Sequence, residues 1–218
     1  VVAPHGMTLG GGCEMTLHAD AVQAAAETYI GLVEFGVGVI PGGGGSKEMT
    51  LRAAKRYIKD DIELNALREY YLNIGMAKVA TSAQEAFKMG ILEEGKDAIS
   101  MNKRRQIADA KRKALLLAEN GYIQPLPKEV KVLGQQALGM FRAGAHAMFE
   151  GRFISEHDVK ISQKLAYVMS GGDLSEATEV SEQYLLDLER EAFLSLCGER
   201  KTLERIHHML NTGKPLRN

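Results

Sequence analysis

The rhythm of apolar and polar positions changes near residue 50. Before it, short apolar runs alternate with glycines. "VVAPHG" predicts a short buried strand, and "GGGCEMTLHAD" predicts a glycine turn running into a helix. "AVQAAAETYIGLVEFGVGVIPGGGG" predicts strands and loops rich in Val, Ile and Gly, closed by a second glycine turn. "SKEMTLRAAKRYI" opens another helix. Beyond it the spacing is helical. In "SAQEAFKMG", Ser82 and Glu85 stand at capping-box spacing and Gly90 suits a stop. Residues 97–119 are charged and Ala-rich, and "GYIQPLPKE" is a loop because Pro125 and Pro127 block a helix. Val159, Ile161, Leu165 and Val168 line one predicted helix, and Leu185, Leu188, Ala192 and Leu196 another. In the last, Leu203, Ile206 and Leu210 form the stripe, Gly213 suits the C-cap and Pro215 stops continuation.

Composition narrows the class. The chain has 218 residues, and its 45% hydrophobic content is enough for a real core. A net charge of -1 leaves no electrostatic case for nucleic acid or an anionic membrane. No apolar run is long enough to span a bilayer, and no signal peptide is visible. Cys13 and Cys197 lie far apart and suggest no disulfide framework, so a reducing cytoplasm is the expected home. The chain opens at Val1 inside an apolar stretch, which reads as a cut through a domain whose N-terminal part lies upstream.

The glycines bear on chemistry. A helix N-terminus carries unsatisfied N–H groups and a partial positive charge, and a glycine turn leaves those groups uncovered. That suits a phosphate or a charge that develops in a reaction. The phosphate motifs fit poorly. After Gly45 the chain reads Ser46, Lys47, Glu48, which displaces the P-loop lysine, and "GVGVIPG" places its third glycine one residue too late for a dinucleotide fingerprint. The other reading is an oxyanion hole. Glu14 lies just beyond the first glycines and Glu34 just before the second run, both in apolar surroundings. Two carboxyls facing one pocket can divide acid and base work. The plain alternative is that each is a helix-terminal charge or a surface residue at a strand end.

"APHGMTLGGGCEMTLHAD" followed by "YIGLVEFGVGVIPGGGGSKEM" resembles the enoyl-CoA hydratase/isomerase (crotonase) superfamily. Gly6, Leu9, Gly10, Gly11, Gly12, Glu14 and Asp20 match the first motif, and Glu34, Ile40, Pro41, Gly42, Gly44 and Gly45 the second. "KVATSAQEAFKMGIL" looks like a later family segment, so the likeness covers residues 1 to about 92. The rest resembles the C-terminal part of a bacterial 3-hydroxyacyl-CoA dehydrogenase/enoyl-CoA hydratase fusion. The resemblance implies an α/β class: the C-terminal portion of a ββα spiral over residues 1–92, then a mostly helical extension over 93–218. It implies an acyl-CoA thioester as substrate and no cofactor or metal in this portion. NAD is expected only in an upstream dehydrogenase part. Gly11 would supply an oxyanion N–H, and Glu14 and Glu34 would hold the water added across C2=C3. Glu14 would activate it and Glu34 would exchange the C2 proton. Gly10, Gly12 and Gly42 would contact substrate. Val33 stands where many hydratases have Pro, and the family's second oxyanion donor comes from an earlier segment. The resemblance also implies a homo-oligomer through C-terminal helices. Isomerisation, thioester hydrolysis, and a helical assembly module with a vestigial site are the competing readings.

Other conspicuous residues read as structural. Cys13 reads as a buried filler, since no base is indicated for a nucleophile. His207 and His208 are adjacent on a helix and so point about 100° apart, which argues against a shared metal. His5 and His18 flank the proposed site. The basic stretch Lys103–Lys113 reads as a solvated helix face, with CoA phosphate contact as the alternative.

Overall fold

A computed structural model describes residues 1–58 and 61–218. Its elements in order are β1 (Gly6–Leu9), α1 (Gly11–Leu17), β2 (Gln23–Ala25), β3 (Thr28–Gly31), a 3-10 turn (Glu34–Val37), α2 (Gly45–Ala54), α3 (Glu63–Gly75), α4 (Ala83–Lys88) and β4 (Ala98–Ser100). A second 3-10 turn (Lys103–Arg105) leads into α5 (Gln106–Glu119). Then come β5 (Glu129–Val132), α6 (Gly134–Glu150), α7 (Glu156–Met169), β6 (Thr178–Ser181), α8 (Glu182–Cys197) and α9 (Arg200–Thr212). They form two compact units, and neither is continuous in sequence. One holds Val1–Leu32 and Lys78–Leu126, the other Val33–Ala77 and Pro127–Asn218.

The first unit is a small α/β layer. β1 pairs in parallel with β3, from Gly6 opposite Thr28 to Leu9 opposite Gly31, and β2 pairs in parallel with β4. The strand expected over residues 1–6 is displaced. Val2 makes one parallel bridge to Val22, and the strand proper starts at Gly6. Pro4 explains the break, since it has no N–H to donate. Its carbonyl instead takes the Ala25 N–H at 3.0 Å, the Thr28 hydroxyl at 3.1 Å and the Gln106 amide at 2.7 Å. Gln106 thereby ties α5 to the strands, and it is buried because both of its amide bonds go to main-chain carbonyls. α1 lays Cys13, Thr16 and Leu17 inward, and Cys13 is fully buried, as its filler reading requires.

The second unit is helical. α6, α7 and α8 pack consecutively, and α2 packs on α3 and α7. Its core is Leu138, Ile161, Leu165, Met169 and Leu185, all fully buried. The Tyr71 and Phe141 rings stack with centroids 4.1 Å apart. β5 and β6 form an antiparallel pair that the apolar pattern did not announce. α7 begins at a full capping box, with the Ser155 side chain on the Asp158 N–H and the Asp158 side chain on the Ser155 N–H. α8 buries its expected stripe of Leu185, Leu188, Ala192 and Leu196. α9 does not. Leu203 and Leu210 are 55% and 80% exposed, while Thr202 and Arg205 are fully buried. Its apolar spacing was real, but polar partners decide which face turns inward. Gly213 ends it in the left-handed conformation at φ 68°, as expected.

Among the described residues, no helix is long and apolar enough to cross a membrane.

Candidate active site

The site residues expected from sequence fall in both units. Gly10, Gly11, Gly12 and Glu14 lie in the first, Glu34 and Gly42 in the second.

In the first unit, β1 delivers the chain to Gly10, which turns it into α1 at φ 56°, a conformation that favours glycine. The Gly10 N–H donates to the Gly31 carbonyl at 3.0 Å, which pins the turn to the end of β3. Gly11 is the first residue of α1, where helix geometry offers no intrahelical acceptor for its N–H. A Cβ added at Gly11 would meet nothing within 4 Å, so the turn faces open space. Glu14 follows in the first turn of the helix and is 8% exposed. His18 closes the other end of α1, its Nδ1 bonded to the Glu14 carbonyl at 2.7 Å. That contact gives His18 a capping role.

In the second unit, Glu34 opens the four-residue 3-10 turn, and its carboxylate oxygens are buried. The turn ends at Gly38, left-handed at φ 92°. Gly38 is packed closely: a Cβ there would lie 2.9 Å from Thr202 Oγ1 and 3.2 Å from Arg205 Cδ. Gly42 is also a packing position. A Cβ on it would lie 2.5 Å from Phe193 Cδ2, so the residue makes room for the Phe193 ring.

The second glycine run has its anion built in. Glu189, on α8 and 1% exposed, accepts the Gly44 N–H at 2.5 Å and the Lys47 N–H at 3.0 Å. The start of α2 is therefore neutralised by a side chain of the same unit. Lys47 is engaged as well. Its ammonium pairs with Glu48, and with Glu182 at 2.9 Å. Burial works to lower its pKa, yet the two carboxylates outweigh burial and raise it. The Gly44 and Lys47 amides and the Lys47 ammonium are thus engaged within the unit, in line with the poor match to a phosphate motif.

Three residues of the second unit carried no sequence signal: Glu189, Thr202 and His157. Glu189 sits 145 and 142 residues from its two donors, so only the fold brings them together. Thr202 donates to the Gly38 carbonyl at 2.7 Å, and His157 Nε2 bonds to Thr202 Oγ1 at 2.9 Å. The same unit holds a cavity of about 840 Å³ lined by Phe35, Tyr71, Met140, Phe141 and Met148, with Arg68 and Arg152 also on its wall. Among the described residues, no group of His, Cys, Asp and Glu is placed to hold a metal ion.

The structure resembles that of an enoyl-CoA hydratase/isomerase from Pseudoalteromonas atlantica T6c over 100% of this chain and 64% of that one, with a TM-score of 0.55 and 15% identity. The chain has the crotonase fold. At that identity the likeness to this crotonase structure concerns the fold alone. All 218 residues align at 50% identity with a Bacillus subtilis (strain 168) protein described as a probable 3-hydroxyacyl-CoA dehydrogenase, and span 27% of its length. A 46-residue stretch, 21% of the chain and 6% of the relative, is 50% identical to the fatty acid oxidation complex subunit alpha of Colwellia psychrerythraea (strain 34H / ATCC BAA-681). The chain thus spans 27% of the Bacillus subtilis relative's length. No family model matches it.

Proposed function

We propose that the chain is the crotonase portion of a longer fatty acid β-oxidation enzyme, and that this portion hydrates 2-enoyl-CoA to 3-hydroxyacyl-CoA. The observation that carries the reading is the first glycine turn: Gly11 opens a helix with free space where a Cβ would stand, and the buried Glu14 follows within the first helical turn. In this reading Gly11 N–H donates to the thioester oxygen, and the enolate that forms there is the charge the helix start favours. Glu14 activates water for attack at C3, and Glu34 delivers the proton to C2. Gly10 and Gly12 shape the turn around the thioester, and Gly42 sets the position of the loop beyond Glu34. The aromatic and methionine lining of the cavity beside Phe35 suits an acyl chain, and its volume lies within the about 300–1,000 Å³ typical of ligand pockets. In this reading NAD belongs to an upstream dehydrogenase part of the longer polypeptide, a reading that the name of the Bacillus subtilis relative supports. The exposed Leu203 and Leu210 support assembly through the C-terminal helices.

The test is hydration of crotonyl-CoA by the full-length polypeptide carrying Glu14→Gln or Glu34→Gln. Each change is expected to cost about 10²-fold or more in kcat. Near-wild-type rates in both variants would end the hydratase reading and favour the assembly module. Product analysis separates hydration from isomerisation and thioester hydrolysis.

A further inference from the structure

We propose that Thr202 is a positioning residue for the Glu34 turn, with His157 fixing the direction of its hydrogen bond. The proposal rests on the reading of Glu34 as an acid/base group. Glu34 begins a single 3-10 turn of four residues. Such turns have poorer hydrogen-bond geometry than an α-helix and need outside support to hold a side chain still. Here the support comes from α9. The Thr202 hydroxyl donates to the Gly38 carbonyl at 2.7 Å, at the C-terminal end of the Glu34 turn. The helix backbone presses on the same residue, since a Cβ at Gly38 would lie 3.0 Å from Thr202 Cα.

A threonine hydroxyl has one proton. It is spent on Gly38, so Thr202 Oγ1 is the acceptor toward His157, whose Nε2 at 2.9 Å must carry a hydrogen. All three groups meet away from water: Thr202 is 0% and His157 3% exposed. The hydroxyl therefore cannot turn to another partner without leaving a buried donor or acceptor unpaired. α9 is itself anchored by polar contacts. Arg205 donates to Asp158 at 2.7 Å, to Ser155 Oγ at 3.1 Å and to Asn218 Oδ1 at 2.8 Å. With Leu203 and Leu210 outside, directional bonds fix where α9 sits. The relay His157–Thr202–Gly38 passes that fixed position to the turn that presents Glu34.

The experiment compares Thr202→Val with Thr202→Ser in the full-length polypeptide, with Glu34→Gln in the same crotonyl-CoA assay. Val keeps the shape and deletes both hydrogen bonds; Ser keeps them. Misplacement of a reacting group lowers kcat steeply, so Thr202→Val is expected to lose about 10- to 10²-fold in kcat with KM unchanged, and Thr202→Ser to stay near wild type. If Thr202→Val does not fold, His157→Ala should lower kcat and His157→Gln, which restores an N–H at that end, should recover it. Wild-type kcat in Thr202→Val beside a crippled Glu34→Gln overturns the positioning role alone. Equal losses in the Val and Ser variants, or a loss expressed in KM, also overturn it. A fully active Glu34→Gln overturns the reading of Glu34, and the positioning role with it.

Discussion

Two glycine runs lead into helices in this chain, and they end differently. At the first, Gly11 opens α1 and faces space in which an added Cβ would touch nothing within 4 Å. At the second, Glu189 already holds the Gly44 and Lys47 amides at the start of α2, and Phe193 fills the ground beside Gly42. Both starts have the same electrostatic demand, since every helix N-terminus presents unpaired donors. One demand is met by a residue of the same unit. The lesson is that a glycine run followed by a helix marks an anion requirement, and only the fold reveals whether a ligand or a side chain fulfils it.

The strongest way to test the first turn is to delete its donor without breaking its helix. Proline is tolerated at the first position of a helix and has no N–H. A Cβ added at Gly11 would meet nothing within 4 Å. Removing one oxyanion donor is expected to lower kcat for crotonyl-CoA hydration by about 10²–10³-fold. Far-UV circular dichroism of the variant should match wild type. An active Gly11→Pro would mean that the open turn is no more a functional site than the closed one.

The second turn should respond in stability. Glu189→Ala leaves the Gly44 and Lys47 N–H groups without their carboxylate. An unpaired buried donor costs about 1–3 kcal/mol, so urea unfolding should show a loss of that size for each. The vacated helix start should then behave as an anion site. Inorganic phosphate is expected to raise the Tm of Glu189→Ala more than that of wild type. An equal response in both would show that Glu189 does not occupy the place an anion would take.

What could be read from sequence follows the range of the interaction. The turn into α1 was legible because its causes are local: three glycines, then residues that continue a helix. The same holds for the Ser82 cap of α4 and the Gly213 stop of α9. α8 was legible because its apolar stripe meets apolar neighbours. α9 was legible as a helix, but which of its faces turns inward was not. Its inward face is set by a carboxylate at Asp158 and a carbonyl at Gly38, and hydropathy does not register such partners. Strands β4, β5 and β6 were missed because three or four residues hold too little alternation to detect. The crotonase fold was legible through motif order. The surroundings of Glu34 were not, because Thr202, His157 and Gly38 are joined only by tertiary structure.

Gly42 allows a smaller and sharper test. Family resemblance gives it a substrate role, whereas the structure gives it a packing role against Phe193. Gly42→Ala forces a methyl into the ring, and overpacking of this kind costs about 1–3 kcal/mol. Combining it with Phe193→Ala should recover part of that loss, because the two sites share one contact. If Gly42→Ala unfolds at the wild-type urea midpoint yet hydrates crotonyl-CoA poorly, the second turn joins the first as part of the substrate site.

The smallest expected effect is a pH dependence, and it belongs to the second turn's unit alone. Burial lowers the pKa of His157, and the nearby Arg205 and Lys201 charges lower it further, while Glu199 and Asp158 oppose them. The unfolded chain therefore takes up a proton at His157 at a higher pH than the folded chain does. Stability from the neutral imidazole is fully present above about 6.5, the ordinary histidine value, and is lost as pH falls below it. Asp158 acts in a lower window. Burial works against its charge, but the Ser155 N–H and Arg205 hold its pKa below the usual carboxylate range. Its contribution is lost only as pH falls below the range where an ordinary aspartate titrates. Urea unfolding at a series of pH values should thus show a first decline below about 6.5 that His157→Gln abolishes, since glutamine cannot take up that proton. A decline of the same size in His157→Gln would place the titrating group elsewhere and leave the relay to Gly38 without its pH signature.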